Sequence, residues 1–200
     1  MKTKNKALLL ALCAVSLVTA SVFGTMAYLT DNDQVTNTFT VGSVAITMDE
    51  QDVDDSTPNA DRDTRNSYKL LPGQTYTKDP AIHVGADSED CFLFVKVENG
   101  IAGIEKAGST TVASQMATKG WMLVEGNVYV YVGKTDKPAV VTKGATIPVF
   151  DNITIDGSTV DNDTLEGYKD ANITVTAYAV QKDGFETKTA AEIWTAAAFN

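Results

Sequence analysis

The residues of this chain that could support catalysis are few, and they follow no known catalytic spacing. His83 is the only histidine among 200 residues, so one chain cannot assemble the two-histidine zinc site of a His-Glu-x-x-His helix. The sequence also lacks a Gly-x-Ser-x-Gly turn, a phosphate-binding glycine loop and a dinucleotide-binding motif. His83 lies between Ile82 and Val84 in a strand-like run, which favours an ordinary sheet residue over a catalytic base.

Cysteine chemistry is equally restricted. Cys13 lies in an apolar leader, and Cys91 is the only other cysteine, so the fold has no intramolecular disulfide once the leader is removed. Cys91 opens a strongly apolar run, which predicts a small buried core residue rather than a reactive thiol. Lipidation of Cys13 is disfavoured because the preceding Leu12 is bulky.

Carboxylates are the one abundant type of metal ligand. The acidic stretch after residue 48 offers four calcium candidates, Asp49, Asp52, Asp54 and Asp55, because Ca²⁺ binds oxygen ligands. The stretch lacks the glycine and the terminal glutamate of an EF-hand loop. A hydrated acidic loop is therefore the favoured interpretation, with weak calcium binding as the alternative, and we predict no other cofactor.

Charge limits the partners of this protein. The chain has 26 acidic and 16 basic residues and a net charge of −10, and its leader contributes three of the lysines and no acidic residue. A strongly acidic domain is repelled by nucleic acid and by anionic membrane surfaces, so we predict neither as a partner. The residues that follow the leader suffice for one domain with a proper core.

The N-terminus has the order of residues that is typical of a secretory signal. Three lysines within the first six residues precede the uncharged stretch 7–23. Small residues ending at Ala27 suit a signal peptidase, and the flank that follows, 31–33, is acidic rather than a basic stop-transfer cluster. We therefore predict a helical signal peptide over residues 1–27, cleavage between Ala27 and Tyr28, and a secreted or surface protein without a membrane segment after processing.

The remainder of the chain consists mostly of short segments of period two, separated by Gly, Pro, Asn and Asp. Trp121–Glu125 and 128–132 flank Gly126-Asn127, a spacing that strongly favours a hairpin. A first strand begins at Phe39, and its phase slip at Gly42-Ser43 indicates a bulge. Further strands are predicted at 68–71, 82–84, 91–98, 139–149, 153–155 and 172–181. The pattern predicts an antiparallel β-sandwich over residues 39–200.

Two short peripheral helices are predicted against this sandwich, at 110–119 and 189–198. Ser109 or Thr110 can cap the first helix, and Gly120 can end it in a left-handed conformation. Small apolar faces on both helices are typical of lids on a sheet.

The leader and the first strand together resemble a known family. The leader ends in Gly24-Thr25-Met26-Ala27-Tyr28-Leu29-Thr30-Asp31 and is followed by Asn37-Thr38-Phe39-Thr40-Val41-Gly42-Ser43-Val44. In this order the two segments resemble the TasA and camelysin family of Gram-positive bacteria. Later segments agree: Leu71-Pro72-Gly73-Gln74, Lys78-Asp79-Pro80, the strand 90–98, Gly120-Trp121, and Ala177-Tyr178-Ala179-Val180-Gln181 before Gly184-Phe185.

The resemblance implies a jelly-roll β-sandwich that a SipW-type signal peptidase processes. Members of this family assemble into protein fibres at the cell surface or in the biofilm matrix. Camelysin itself is classified as a metalloprotease, but this sequence has no His/Glu cluster that could bind zinc. The resemblance therefore favours a structural protein over an enzyme.

From these observations we expect self-association by strand exchange. The segment freed by cleavage, residues 28–38, would add as a strand to the sheet edge of the next subunit. The assembly strand would present the side chains of Tyr28, Leu29, Val35, Phe39 and Val41.

Two alternatives stay open. One is a secreted camelysin-like metalloprotease that depends on His83. The other is a monomeric adhesin that binds a glycan, a matrix component or a cell-wall partner through the rings of Trp121, Tyr129 and Tyr131, although their alternation with valine favours core packing.

Overall fold

The computed structural model describes residues 43–54 and 62–199 of the chain. Five predictions concern residues outside this part: the leader, its cleavage between Ala27 and Tyr28, the segment 28–38 with the first-strand residues Phe39 and Val41, the bulge at Gly42, and Asp55 as a calcium ligand. Within the part described, every helix is too short or too polar to cross a lipid bilayer.

Strands dominate the described residues, and the helices are short. The strands are β1 (Ile46–Gln51), β2 (Arg62–Asp63), β3 (Thr75–Thr77), β4 (Ala81–Val84), β5 (Cys91–Asn99), β6 (Trp121–Glu125), β7 (Val128–Tyr131), β8 (Thr146–Pro148), β9 (Asn152–Thr154) and β10 (Ile173–Gln181). The helices are α1 (Val112–Thr118), α2 (Asn162–Glu166) and α3 (Ala190–Ala197), with a 3₁₀ turn at Ala102–Ile104.

The strands form two four-stranded sheets and one two-stranded sheet. The first sheet has the order β2-β1-β4-β8, the second has the order β10-β5-β7-β6, and β3 pairs with β9. All pairings are antiparallel. The prediction of an all-β antiparallel fold is thus confirmed, as is the hairpin that joins β6 to β7.

The long strand β5 organises the core because it is apolar on both faces. Its alternate residues Cys91, Leu93 and Val95 are fully buried and share one cluster with Ile82 of β4, so the two larger sheets pack against a common core. Burial, followed by the charge of Asp90, raises the pKa of the Cys91 thiol to about 11. Cys91 is therefore the core residue that the sequence predicts.

The opposite face of β5 is covered by α3. Phe92 and Phe94 lie in a second cluster with Ile193. The ring of Trp194 lies 5.5 Å from that of Phe94 between centroids. Thr189 begins the helix with a capping box that it forms with Glu192. The predicted lid at 189–198 is therefore confirmed.

Two predicted strands are wrong or shortened for identifiable reasons. Residues 68–71 form no strand, because the Tyr76 hydroxyl donates to the Lys69 carbonyl at 2.8 Å and accepts from the Leu71 N–H at 2.7 Å. These bonds replace those of a neighbouring strand. The predicted strand 139–149 reduces to β8 and a single bridge at Val141, because a turn at Gly144 with φ of 76° interrupts it.

The helices also differ in detail from the prediction. Thr111, not Ser109 or Thr110, caps α1, and its side chain accepts from the Ser114 N–H. Gly120 follows α1 with φ of 87°, as predicted. The five-residue helix α2 was not predicted; Asp161 caps it, but so short a helix has no apolar periodicity to detect.

Candidate functional site

Strand β10 lies at the edge of its sheet and is bonded on one side to β5. The Gly100 N–H donates to the Asn172 carbonyl and the Lys182 N–H to the Asp90 carbonyl, both at 2.8 Å. Because bonds in an antiparallel pair involve alternate residues, the intervening odd-numbered residues direct their N–H and C=O groups away from β5. These are Ile173, Val175, Ala177, Ala179 and Gln181, and none has a backbone partner among the described residues.

The side chains of this outward-bonding row face the main core. Ile173, Val175, Ala177 and Ala179 are half-buried and pack against the main cluster. Two of the four are alanines, and their small side chains cover this edge of the core only thinly. Across its nine residues β10 has no charged side chain and no proline, which are the features that usually block pairing at an exposed edge.

Two cavities adjoin this edge. The first, which we call the edge groove, has a volume of about 620 Å³ and lies between residues 48–50 of β1 and residues 172–175 at the start of β10. The second, the end pocket, has a volume of about 590 Å³ and lies at the start of β10. The two share five lining residues, Asn66, Ser67, Lys78, Asn172 and Ile173. Their linings therefore meet at these residues.

The end pocket combines apolar walls with basic groups. Tyr68, Leu165 and Tyr168 contribute to the apolar lining. Lys69 and Lys169 also line it, together with Glu166, and all three are exposed residues. Lysines at this place are notable in a chain with a net charge of −10, because they provide a local attraction for an acidic partner.

A buried ion pair lies where the two cavities meet. Lys78 Nζ is 2.7 Å from Glu50 Oε2, and it also lies 5.8 Å from the ring centroid of Tyr68. The Tyr68 hydroxyl is buried and has no hydrogen-bond partner among the described residues. Burial, reinforced by nearby carboxylates, raises the pKa of Tyr68, so the hydroxyl stays protonated at physiological pH.

Arg62 holds β2 against the C-terminal end of β1. Its guanidinium binds the Asp49 carboxylate and donates to Asp79 Oδ2 at 2.9 Å. Partial burial would raise the pKa of Asp49, but the hydrogen bonds and charges of Arg62 and His83 outweigh it and lower that pKa. The β2 pairing covers Glu50 and Gln51. Part of the β1 edge is therefore protected in a way that the β10 edge is not.

His83 is part of the same polar network. Its Nε2 lies 3.1 Å from the Asp49 carboxylate, and its Nδ1 lies 3.0 Å from Thr146 Oγ1. Both ring nitrogens are thus hydrogen-bonded across three neighbouring strands. This geometry agrees with the interpretation of His83 as a sheet residue.

The calcium candidates are divided between two places. Asp52 and Asp54 lie with Asp63, with ligand atoms within 4.8 Å of one another, whereas Asp49 binds Arg62 and His83. Asp54 Oδ2 accepts the Ser67 N–H at 2.6 Å, and Asp63 Oδ1 accepts the Arg65 N–H at 3.1 Å. These carboxylates therefore order the local backbone.

The aromatic residues of the adhesin alternative lie mainly in the core. Trp121 is 3% exposed, and its indole N–H donates to the Pro148 carbonyl at 2.9 Å. Its ring packs edge-on against Tyr131 at 5.4 Å between centroids, and Tyr129 is half-buried.

The sequence alone showed neither the open edge of β10 nor the ion pair beside it. The strand itself had a visible signal, a nine-residue run without charge or proline at 173–181, but its place at the edge follows only from the sheet order. The Glu50–Lys78 pair had none, since the two residues are 28 positions apart and only the tertiary fold brings them together.

Comparison with protein-family models, with curated proteins and with solved structures finds no match to this chain.

Proposed function

We propose that this chain is a secreted structural protein of the cell surface or biofilm matrix that assembles into fibres by strand exchange. The N-terminal segment of one subunit, freed by cleavage between Ala27 and Tyr28 by a SipW-type signal peptidase, adds to the β10 edge of the next. A jelly-roll arrangement is part of this proposal. The observation that carries the proposal is the unprotected β10 edge, which has five outward-directed backbone positions.

The other edges of the two four-stranded sheets support the choice of β10. Strand β6 has a bulge between Leu123 and Glu125, and β8 ends at Pro148. Strand β1 has two acidic residues and is partly covered by β2. Bulges, charges and prolines are common protections against edge-to-edge pairing. Among the described strands of five or more residues at a sheet edge, β10 alone lacks all three.

The incoming strand has side chains that suit the thin margin of the core. Val35, Phe39 and Val41 are separated by even numbers of residues, so they lie on one face of a regular strand. If the segment adds to β10, this apolar face would lie beside the core-facing row of β10 that contains Ala177 and Ala179. Each buried side chain contributes roughly 1.5 to 3 kcal/mol, which the ordering of the segment partly offsets.

Strand exchange of this kind propagates. The donor surface is an N-terminal segment and the acceptor surface is a sheet edge, so each subunit has one of each. A contact between two different surfaces is head-to-tail and builds a filament when the rotation does not close a ring.

The experiment is removal of residues 28–38 from the mature protein, followed by electron microscopy and analytical ultracentrifugation. We expect a folded monomer with the circular dichroism spectrum of the parent and no fibres. Fibres that persist after the deletion would contradict the proposal. As a matched control, an eleven-residue Gly/Ser segment in place of 28–38 keeps the length and should also fail to assemble.

A further inference from the structure

We propose that the end pocket receives residues 28–33 of the neighbouring subunit, so that the added strand runs parallel to β10. This inference rests on the proposed function and specifies its partner segment, direction and register. Neither the open edge nor the length of the segment alone determines the direction, because both parallel and antiparallel strands can add to an edge.

The length of the segment fits this register. Residues 34–42 are nine in number and match the nine residues of β10. At about 3.3 Å per residue this paired part spans about 30 Å, and residues 28–33 extend about 20 Å beyond it. Residues 43–45 belong to the donor domain, because the Ser43 carbonyl accepts from the Glu89 N–H at 3.0 Å and the Ala45 carbonyl from the Gly85 N–H at 2.9 Å, so the added strand would leave that domain directly at residue 42.

The position of the end pocket selects the direction. Ala171, Asn172 and Ile173 line it, so it lies at the N-terminal end of β10. A parallel strand brings its own N-terminal residues 28–33 to this end. An antiparallel strand would bring them instead to the other end, beyond Gln181.

The chemistry of the segment complements the pocket. Tyr28 and Leu29 are apolar and suit the apolar lining of the pocket, while Asp31 and Asp33 provide two negative charges. Lys69 has no ion pair among the described residues. An apolar pair followed by two acids therefore meets apolar walls flanked by lysines.

The second lysine is able to exchange its partner. Lys169 Nζ lies 3.2 Å from Glu166 Oε1, and the two side chains are 63% and 75% exposed. An exposed pair of this kind contributes little to stability. Lys169 can therefore turn to an incoming carboxylate at small cost.

Charge reversal in the full mature chain tests the contact. We expect Lys69→Glu/Lys169→Glu and Asp31→Lys/Asp33→Lys each to raise the critical concentration for fibre formation about tenfold at low ionic strength, since two attractive pairs become repulsive. Combining all four changes should restore assembly. The measurements are light scattering and electron microscopy.

Lys134→Glu/Lys137→Glu provides the matched control, because these exposed lysines lie in the loop after β7 and line neither cavity. Its net charge equals that of the Lys69/Lys169 variant, and we expect nearly parental assembly. If both lysine variants behave alike, or if the four-fold combination fails to recover, the end pocket is not the docking site. The deletion of residues 28–38 tests strand addition itself, independently of the end pocket.

Disulfide trapping tests the direction separately. We expect Leu29→Cys with Leu165→Cys to give oxidised oligomers on a non-reducing gel, because Leu165 lines the end pocket. Leu29→Cys with Asp183→Cys represents the antiparallel register and should give none. The reverse pattern would overturn the parallel arrangement while leaving strand exchange intact.

Discussion

Lys78 Nζ lies 2.7 Å from Glu50 Oε2 at the junction of the two cavities, where the side chains are 11% and 7% exposed. Two opposite charges that are removed from water in this way depend on each other, because neither can recover its hydration. The pair joins β1 to the segment before β4 and so supports the wall of the edge groove.

Removing one partner of this pair should be costly. We expect Lys78→Met to lower the free energy of unfolding by about 3 to 5 kcal/mol, because Glu50 is then left buried without its counter-charge. Urea denaturation followed by circular dichroism measures the change. Lys169→Met breaks an exposed pair and should cost less than about 1 kcal/mol. Equal losses in the two variants would contradict this account of the buried pair.

The Tyr68 hydroxyl should contribute nothing favourable to the monomer. Its oxygen is buried and has no partner among the described residues, and an unsatisfied buried polar group costs about 1 to 3 kcal/mol. We expect Tyr68→Phe to leave the midpoint of urea unfolding unchanged or to raise it. Tyr76→Phe is the matched control, because the Tyr76 hydroxyl makes two hydrogen bonds, and it should lower the midpoint. Destabilisation by Tyr68→Phe as large as that by Tyr76→Phe would argue against this interpretation.

Asp49 should make the fold sensitive to acid. Its pKa in the folded chain lies below the usual value, whereas an unfolded aspartate titrates at about 3.9. Its stabilising contribution is therefore fully present above that unfolded value and is lost as the pH falls through the lower folded pKa.

The measurement is the free energy of unfolding between about pH 6 and pH 2.5. We expect Asp49→Asn to have a flatter acid limb than the parent. Asp136→Asn changes an exposed residue of the loop after β7 and should keep the parental slope. Parallel curves for Asp49→Asn and the parent would remove Asp49 from the acid response.

The sequence was most informative where structure is decided locally. The β6–β7 hairpin follows from the Gly126-Asn127 turn, and β5 follows from a continuous apolar run. Helix α3 follows from the helical spacing of its apolar residues. In each case neighbouring residues contain the whole signal.

The sequence was least informative where distant side chains decide. Residues 68–71 resemble a strand, yet the Tyr76 hydroxyl holds their backbone in an irregular path. His83 is seen as a sheet residue from its neighbours alone, but its bonds to Asp49 and Thr146 depend on the register of three strands. The edge status of β10 likewise follows from sheet order, which no local pattern specifies.

A proline placed on the β10 edge tests whether this edge accepts the incoming strand. The Ala177 N–H points away from β5, and a proline whose missing N–H faces solvent is tolerated on an edge strand. Strand β6 forms the opposite edge of the same sheet. The Val132 N–H donates to the Gly120 carbonyl, and Met122 pairs with Val130. Residues 120 and 122 therefore bond toward β7, so the Leu123 N–H points outward, as the Ala177 N–H does on β10.

The most direct measurement is therefore electron microscopy of the mature Ala177→Pro and Leu123→Pro proteins, each first shown by circular dichroism to be folded. We expect Ala177→Pro to remain monomeric, because the proline ring blocks the edge, and Leu123→Pro to assemble like the parent. Fibres formed by Ala177→Pro as readily as by Leu123→Pro would contradict this expectation.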